Sequence, residues 1–355
     1  MIPGPTNSLV DVDGLSVGHY ERTDEGWLTG TTVILAGDEG AVAGVDVRGG
    51  GPGTRETDAL DPKNLVQRAH AVVLSGGSAF GLAAADGVMR QRHRAGIGMP
   101  VGPEGNVVPI VPAAVIFDLG RGGDFASLPD AEFGARASAA ATTETPLLGA
   151  VGAGTGAQAG GLKGGIGSAS LLLSDGSMVA AIVVVNAVGS PVIPHTGELW
   201  GARHLLPGDL DGLGLPDGTR LLTPSQDEVQ QAATAAAEAN PTSRVPRTLA
   251  TTIGVVATDA TLTKAQAARL AGSGHDGMAR AINPIHTMYD GDTLFGLATG
   301  KGDEPSAEAF HEMLLASGEV VTRAIVRAML AATSVTTTDG TWRGYRDAFA
   351  SALKG

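Results

Sequence analysis

Nine of the nineteen residues from Gly149 to Gly167 are glycine, and this tract limits the fold more than any other part of the chain. No ordinary helix carries it, because each interior glycine costs about 1 kcal/mol relative to alanine. Glycine at this density lets backbone approach a ligand or another backbone, or turn at positive φ. The excess is general: 53 of 355 residues are glycine, about twice the usual share of roughly 7%. There is no Gly-X-Y period and no long polar tract, which excludes collagen and argues against wholesale disorder. Two nucleotide motifs also fail. Gly154-Thr155-Gly156 has Ala159 where a dinucleotide fingerprint ends, and more glycines follow where a helix must start. Lys163 lies between Leu162 and Gly164, so the Gly-Lys-Ser/Thr of a phosphate loop is missing. No cofactor is expected.

The rest of the composition narrows the chemistry. Cysteine is absent. That removes thiol nucleophiles, disulfides, iron–sulfur clusters and cysteine zinc sites. The net charge is −13 and aromatics are only 4%, a poor match to nucleic acid. No run reaches 18 apolar residues, so no membrane span is expected. Met1–Asp13 lacks the pattern of a signal peptide, and a cytoplasmic setting is expected. His311-Glu312 lacks the second histidine of a zinc helix, and Asp290-Gly291-Asp292 lacks the rest of a calcium loop, so no metal is expected.

Short apolar runs bounded by turn residues predict strands at Thr31–Ala36, Ala41–Val47, Ala71–Ser75, Ala114–Leu119, Ser168–Leu173, Val179–Asn186, Thr251–Thr258 and Thr293–Thr299. Most are continuously apolar, as in strands buried on both faces. Helical spacing predicts helices at Phe80–His93, Gln226–Ala239, Lys264–Ala271 and Ala307–Ala332. Leu205–Arg247, with five prolines, reads as a long surface connection. The expectation is one α/β domain over 1–355, sheets inside and helices outside. Ser78, between a strand and a helix, reads as an N-cap in a tight turn, since Gly76-Gly77-Ser78-Ala79-Phe80 lacks the last glycine of a nucleophile elbow. The run from Arg48 to Glu56 reads equally as a loop lining a site or as an exposed turn.

Thr251 and Thr252 open an apolar strand, where threonine needs no function to be favoured. Yet Ala250-Thr251-Thr252-Ile253-Gly254-Val255-Val256-Ala257-Thr258-Asp259 resembles the start of the small subunit in a family of self-cleaving hydrolases. Further matches are Val10–Gly14, Val17-Gly18-His19-Tyr20, Val45–Gly50, Ser75–Leu82, Gly152–Gly156, Lys163–Gly167, Val184-Val185-Asn186 and His286–Phe295. They cover nearly the whole chain in the family's order. The family is that of the L-aminopeptidase/D-esterases, with the β-peptidyl aminopeptidases and the nylon-oligomer hydrolase.

The resemblance implies a four-layer α/β/β/α sandwich and autoproteolysis between Ala250 and Thr251, giving chains 1–250 and 251–355. The freed Thr251 would be the nucleophile, with its own amine as base. Lys163 is implied as a cation near the nucleophile and Asn186 as an oxyanion donor. Asp290 and Asp292 are implied as acids that orient the nucleophile and its amine; two residues apart in an extended segment, they could face one side. Ser78, Gly154 and Phe117 are expected to line the substrate site. Two departures stand out. Phe117 lies on the strand matching the one that carries a tyrosine in the nylon-oligomer hydrolase, and Ala250 replaces the usual Asn or Gly. Ala-Thr is, however, the junction of the related ornithine acetyltransferases. The expected substrate is a small peptide or amide, or a linear oligoamide such as a nylon oligomer, handled by a homotetramer. Acyl transfer of the ornithine acetyltransferase type and a non-cleaving binding or assembly relative are the alternatives.

Overall fold

The computed structural model describes residues 1–238 and 249–354. Two sheets stack face to face. One contains β1 (Ser16–Arg22), β2 (Thr29–Leu35), β4 (Thr54–Arg55), β6 (Ala71–Ser75) and β7 (Ala113–Val115), in the order β1-β2-β6-β7-β4. The other contains β3 (Ala41–Val47), β5 (Arg68–Ala69), β8 (Gly165–Leu172), β9 (Met178–Val185), β10 (Ile253–Thr258) and β11 (Thr293–Ala298). Its order is β8-β9-β10-β11-β3-β5. Only β10 and β11 run parallel within it.

The alternation of side chains explains the layering. In β9, Ala180, Ile182 and Val184 face the other sheet, where Ile34, Leu74 and Ile116 meet them. Val179, Ala181, Val183 and Val185 face the opposite way, into a core with Leu270, Met278, Val320 and Ile325. Those last residues belong to helices α4 (Lys264–Ala281) and α5 (Ala307–Ala331), which cover the outer face. Helices α1 (Ala84–Arg94) and α2 (Ala131–Ala139) cover the first sheet through Val33, Val73, Ala84, Val88 and Ala137. The order of layers is α/β/β/α, as the resemblance implies. Helix α3 (Gln226–Glu238) lies in the connection read from Leu205. Part of that connection pairs with the chain end, Arg220–Leu221 against Leu353–Lys354. Residues 239–247 of it lie outside the described residues, as does Ala239 of the expected helix.

Glycine sets how closely these layers approach. A Cβ on Gly167 of β8 would lie 2.0 Å from the Ala324 carbonyl oxygen of α5 and 2.5 Å from the Ala328 nitrogen. Helix α4 likewise crosses Gly44 and Gly296 at backbone contact. This packing also corrects one expectation. The helix expected to stop at Ala271 continues through Gly272, Gly274 and Gly277 to Ala281. Gly277 meets the Gly318 carbonyl of α5, so contact between two helices outweighs poor helix propensity.

Other boundaries move. The expected strand from Ala114 to Leu119 ends at Val115. The helix expected from Phe80 starts as a 3₁₀ turn, Ser78–Ala83, before α1. Ser78 is not the N-cap. Gly77 holds that position at φ +81°, no side chain caps the turn, and Ser78 itself has φ +51°. The chain leaves β6 too sharply for an extended cap residue. Among the described residues, no helix is long and apolar enough to cross a membrane.

Gly167→Ala should lose about 1–3 kcal/mol of stability, because α5 must move off the sheet. Guanidinium unfolding measures this; an unchanged midpoint would mean that α5 does not lie this close.

Candidate active site

The strand order brings one end of the larger sheet to a single place. Thr251 precedes β10, Asn186 follows antiparallel β9, and Asp290 and Asp292 precede parallel β11. Lys163 precedes β8, whose first residue pairs with the last of β9. Arg48 and its glycines follow β3, whose Val47 pairs with Thr293.

Thr251 is buried, at 5% exposure, two residues before a strand buried along its whole length. Its N–H donates to the Asn186 carbonyl at 2.7 Å. Its hydroxyl donates to the preceding carbonyl oxygen of Ala250 at 2.5 Å. Ala250 is fixed in turn: its N–H donates to the Tyr289 carbonyl at 3.2 Å, and it bridges Asp290 in parallel. The Ala250–Thr251 peptide is therefore held on both sides, with the hydroxyl beside the carbonyl it would attack. Gly291 makes room for it, since a Cβ there would lie 3.0 Å from Thr251 Oγ1.

The two acids divide their partners. Asp292 Oδ1 accepts the Thr252 N–H at 2.7 Å, and Oδ2 accepts from the His286 N–H at 3.0 Å and the ring Nδ1 at 2.8 Å. Asp290 Oδ2 accepts from the Thr287 hydroxyl and N–H, and Oδ1 accepts the Val188 N–H at 3.3 Å. Burial raises the Asp290 carboxyl above its ordinary range, and the nearby Asp292 charge adds to this against the Thr287 hydrogen bond. Both acids face the strand entrance, as their spacing suggested. Neither hydrogen-bonds to the Thr251 hydroxyl among the described residues.

Asn186 is fully buried. Its Oδ1 accepts from the Gln158 N–H at 3.0 Å and from Arg121 Nη1 at 2.8 Å. Its Nδ2 donates to the Phe117 carbonyl at 3.3 Å and has a second N–H that no hydrogen bond uses among the described residues. Phe117 thus meets the site through its backbone, and its ring is half-buried. Lys163 is also buried, in a two-stranded ribbon with Gln158–Ala159. Its Nζ donates to the Gly154, Ala157 and Gly164 carbonyls at 2.9, 3.0 and 2.7 Å. The lysine ties the glycine tract together, and among the described residues it makes no hydrogen bond to Thr251. Burial first, then the Arg121 charge, lowers its pKa to about 7 against the pull of Asp118. Gly154 thus serves the lysine with its carbonyl, and a Cβ on it would strike the Ile166 nitrogen. Ser78 remains half-buried at its turn; its N–H donates to the Ile116 carbonyl, and its hydroxyl makes no hydrogen bond to the other site residues.

Sequence reading missed Arg121, Gln158 and His286. Arg121 donates to both the Gly156 carbonyl and Asn186. Its only local signal is a charge within Gly120-Arg121-Gly122-Gly123.

The protein-family model described as Peptidase family S58 matches residues 7–343. A protein of Mycobacterium leprae described as an uncharacterized aminopeptidase is 45% identical, over 94% of this chain and 93% of its own. A 6-aminohexanoate-oligomer endohydrolase of Paenarthrobacter ureafaciens is 31% identical, over 83% of this chain and 76% of its own. Among solved structures, the L-aminopeptidase D-Ala-esterase/amidase of Ochrobactrum anthropi, titled a variant of the Ntn hydrolase fold, superposes with a TM-score of 0.71. It is 21% identical, over 97% of this chain and 92% of its own.

The caged lysine sets a pH dependence. Folded Lys163 loses its proton near pH 7, whereas an unfolded lysine keeps it to about 10.5. The unfolded state binds the extra proton between these values, so this group makes stability rise with pH from about 7 to 10.5. Below that window the whole cost of the buried charge is present. Lys163→Met should flatten this rise, as read from denaturation midpoints across the window.

Proposed function

The chain belongs to peptidase family S58, and on that premise we propose that it is a self-processing N-terminal threonine amide hydrolase. The observation that carries this reading is the Thr251 hydroxyl, 2.5 Å from the Ala250 carbonyl oxygen in a peptide held on both sides. In the first reaction, Thr251 Oγ attacks the Ala250 carbonyl carbon and its proton passes to the departing nitrogen. The amide becomes an ester. Water then splits the ester, leaving a carboxylate on Ala250 and a free amine on Thr251. The pieces are 1–250 and 251–355. They stay together because β10 and β11 of the second piece lie between β9 and β3 of the first.

The same atoms then act on substrate. An α-amine has an ordinary pKa near 7.7–8.0, so much of it is neutral near pH 7.5 and can take the Oγ proton. Oγ attacks the substrate carbonyl, and the spare Asn186 N–H faces the growing oxyanion. The Thr251 amine returns the proton to the leaving amine, and water hydrolyses the acyl ester. Asp292 orients the backbone beside the nucleophile and Asp290 its loop. Lys163 acts through the tract it ties together, since that tract carries the Gln158 N–H to Asn186. Gly154, Ser78 and Phe117 belong to the surrounding wall.

The substrates proposed are small peptides and amides with a free amino end, and linear oligoamides such as 6-aminohexanoate oligomers. The aminopeptidase and endohydrolase descriptions of the two sequence relatives support this range. The reading extends to a homotetramer of cut protomers, an expectation that rests on the resemblance.

Thr251→Ala should remain one chain on a denaturing gel and hydrolyse none of a panel of aminoacyl amides, β-peptides and nylon oligomers. Asn186→Ala should cut and turn over about 100-fold more slowly or worse. A Thr251→Ala protein that still cuts itself and still hydrolyses amides would remove the proposal.

A further inference from the structure

We propose that His286 is a positioning residue for this site. It holds Asp292 in the orientation that accepts the Thr252 N–H, and so fixes the backbone beside the nucleophile. The inference rests on Thr251 being that nucleophile.

The geometry is a relay across three elements. His275, on α4, is completely buried, and its Nε2–H donates to the Asp46 carbonyl of β3 at 3.0 Å. Burial lowers its pKa to about 4, so it is neutral at neutral pH. Its ring meets the His286 ring edge-on, with centroids 4.8 Å apart and planes at 69°. His286 then makes two donations to one carboxylate oxygen, Oδ2 of Asp292, from the ring Nδ1–H and from its own N–H. It does so at φ +59°, a conformation uncommon for any residue but glycine. The other oxygen of Asp292 takes the Thr252 N–H at 2.7 Å.

Each link constrains the next. The buried His275 ring sets where the His286 ring can stand. The two His286 donations leave Asp292 no freedom to rotate about its carboxyl axis. Oδ1 therefore stays on Thr252, one residue after the nucleophile. Without the ring, Asp292 keeps a single N–H on Oδ2 and can turn away from Thr252. The charged groups facing this relay are Asp46 with its partner Arg48, Asp290, and Asp292 itself. His286 Nε2 is buried and without a hydrogen-bond partner among the described residues, so the ring has no other polar attachment to fix it.

Two readouts test this, one of them independent of cutting. In the uncut Thr251→Ala protein, hydrogen exchange at the Thr252 amide should speed up by on the order of tenfold when His286→Ala is added. His286→Asn, which can present an N–H in place of Nδ1, should restore most of the protection. In protein with Thr251 intact, His286→Ala should slow self-cutting and kcat by on the order of tenfold. KM should change less than about twofold, and His286→Asn should again recover. Unchanged Thr252 exchange in His286→Ala, or an Asn variant no better than Ala in both readouts, would overturn the proposal. If the protein with Thr251 never cuts while Thr252 exchange responds as stated, the nucleophile reading fails and the positioning role stands. If it cuts and exchange does not respond, the reverse holds.

Discussion

The placement of β10 between β9 and β11 is the constraint from which the rest of the site follows. An antiparallel neighbour puts its end beside the start of β10, and a parallel neighbour puts its start there. Asn186 and the Asp290–Asp292 turn therefore reach Thr251 from opposite sides, by strand order alone. The backbone of Asn186 takes the Thr251 N–H, and Asp292 takes the next N–H along the chain. Buried N–H donors at a strand entrance are costly when left unpaired. Here the residues that satisfy them are those assigned to the chemistry.

The glycine excess belongs to this constraint in two ways. In the layers, small residues let α4 and α5 lie against the larger sheet at backbone distance, as at Gly167. At the site, the tract around Lys163 offers three carbonyls to one ammonium, an arrangement that larger residues would crowd. The buried Arg323 does similar work elsewhere. It joins α5 to Asp209, Ser170 and Asn7, and so links the two pieces that a cut at Thr251 would create.

Much of this was legible in the sequence because burial on both faces leaves a simple mark. Continuous runs such as Met178–Val185 and Thr293–Ala298 are strands, and the four-layer order agrees with the family that the motifs resemble. What failed was local. Ser78 looked like a cap by residue type, but the turn puts it at positive φ, where its side chain caps nothing. Helix α4 runs on through three glycines to reach the close contact of Gly277 with Gly318 of α5, a contact between segments far apart in sequence. Lys163 was legible as important but not as caged, since its partners are main-chain carbonyls that no residue type signals. Arg121 and His286 were illegible for the same reason: their roles depend on neighbours that only the fold supplies.

The most direct measurement is the intact mass of the purified chain after prolonged incubation, with sequencing of every N-terminus present. The account predicts two species that remain associated, one beginning at Met1 and ending at Ala250, the other beginning at Thr251. A single full-length species, or a new N-terminus at any residue other than Thr251, would contradict it.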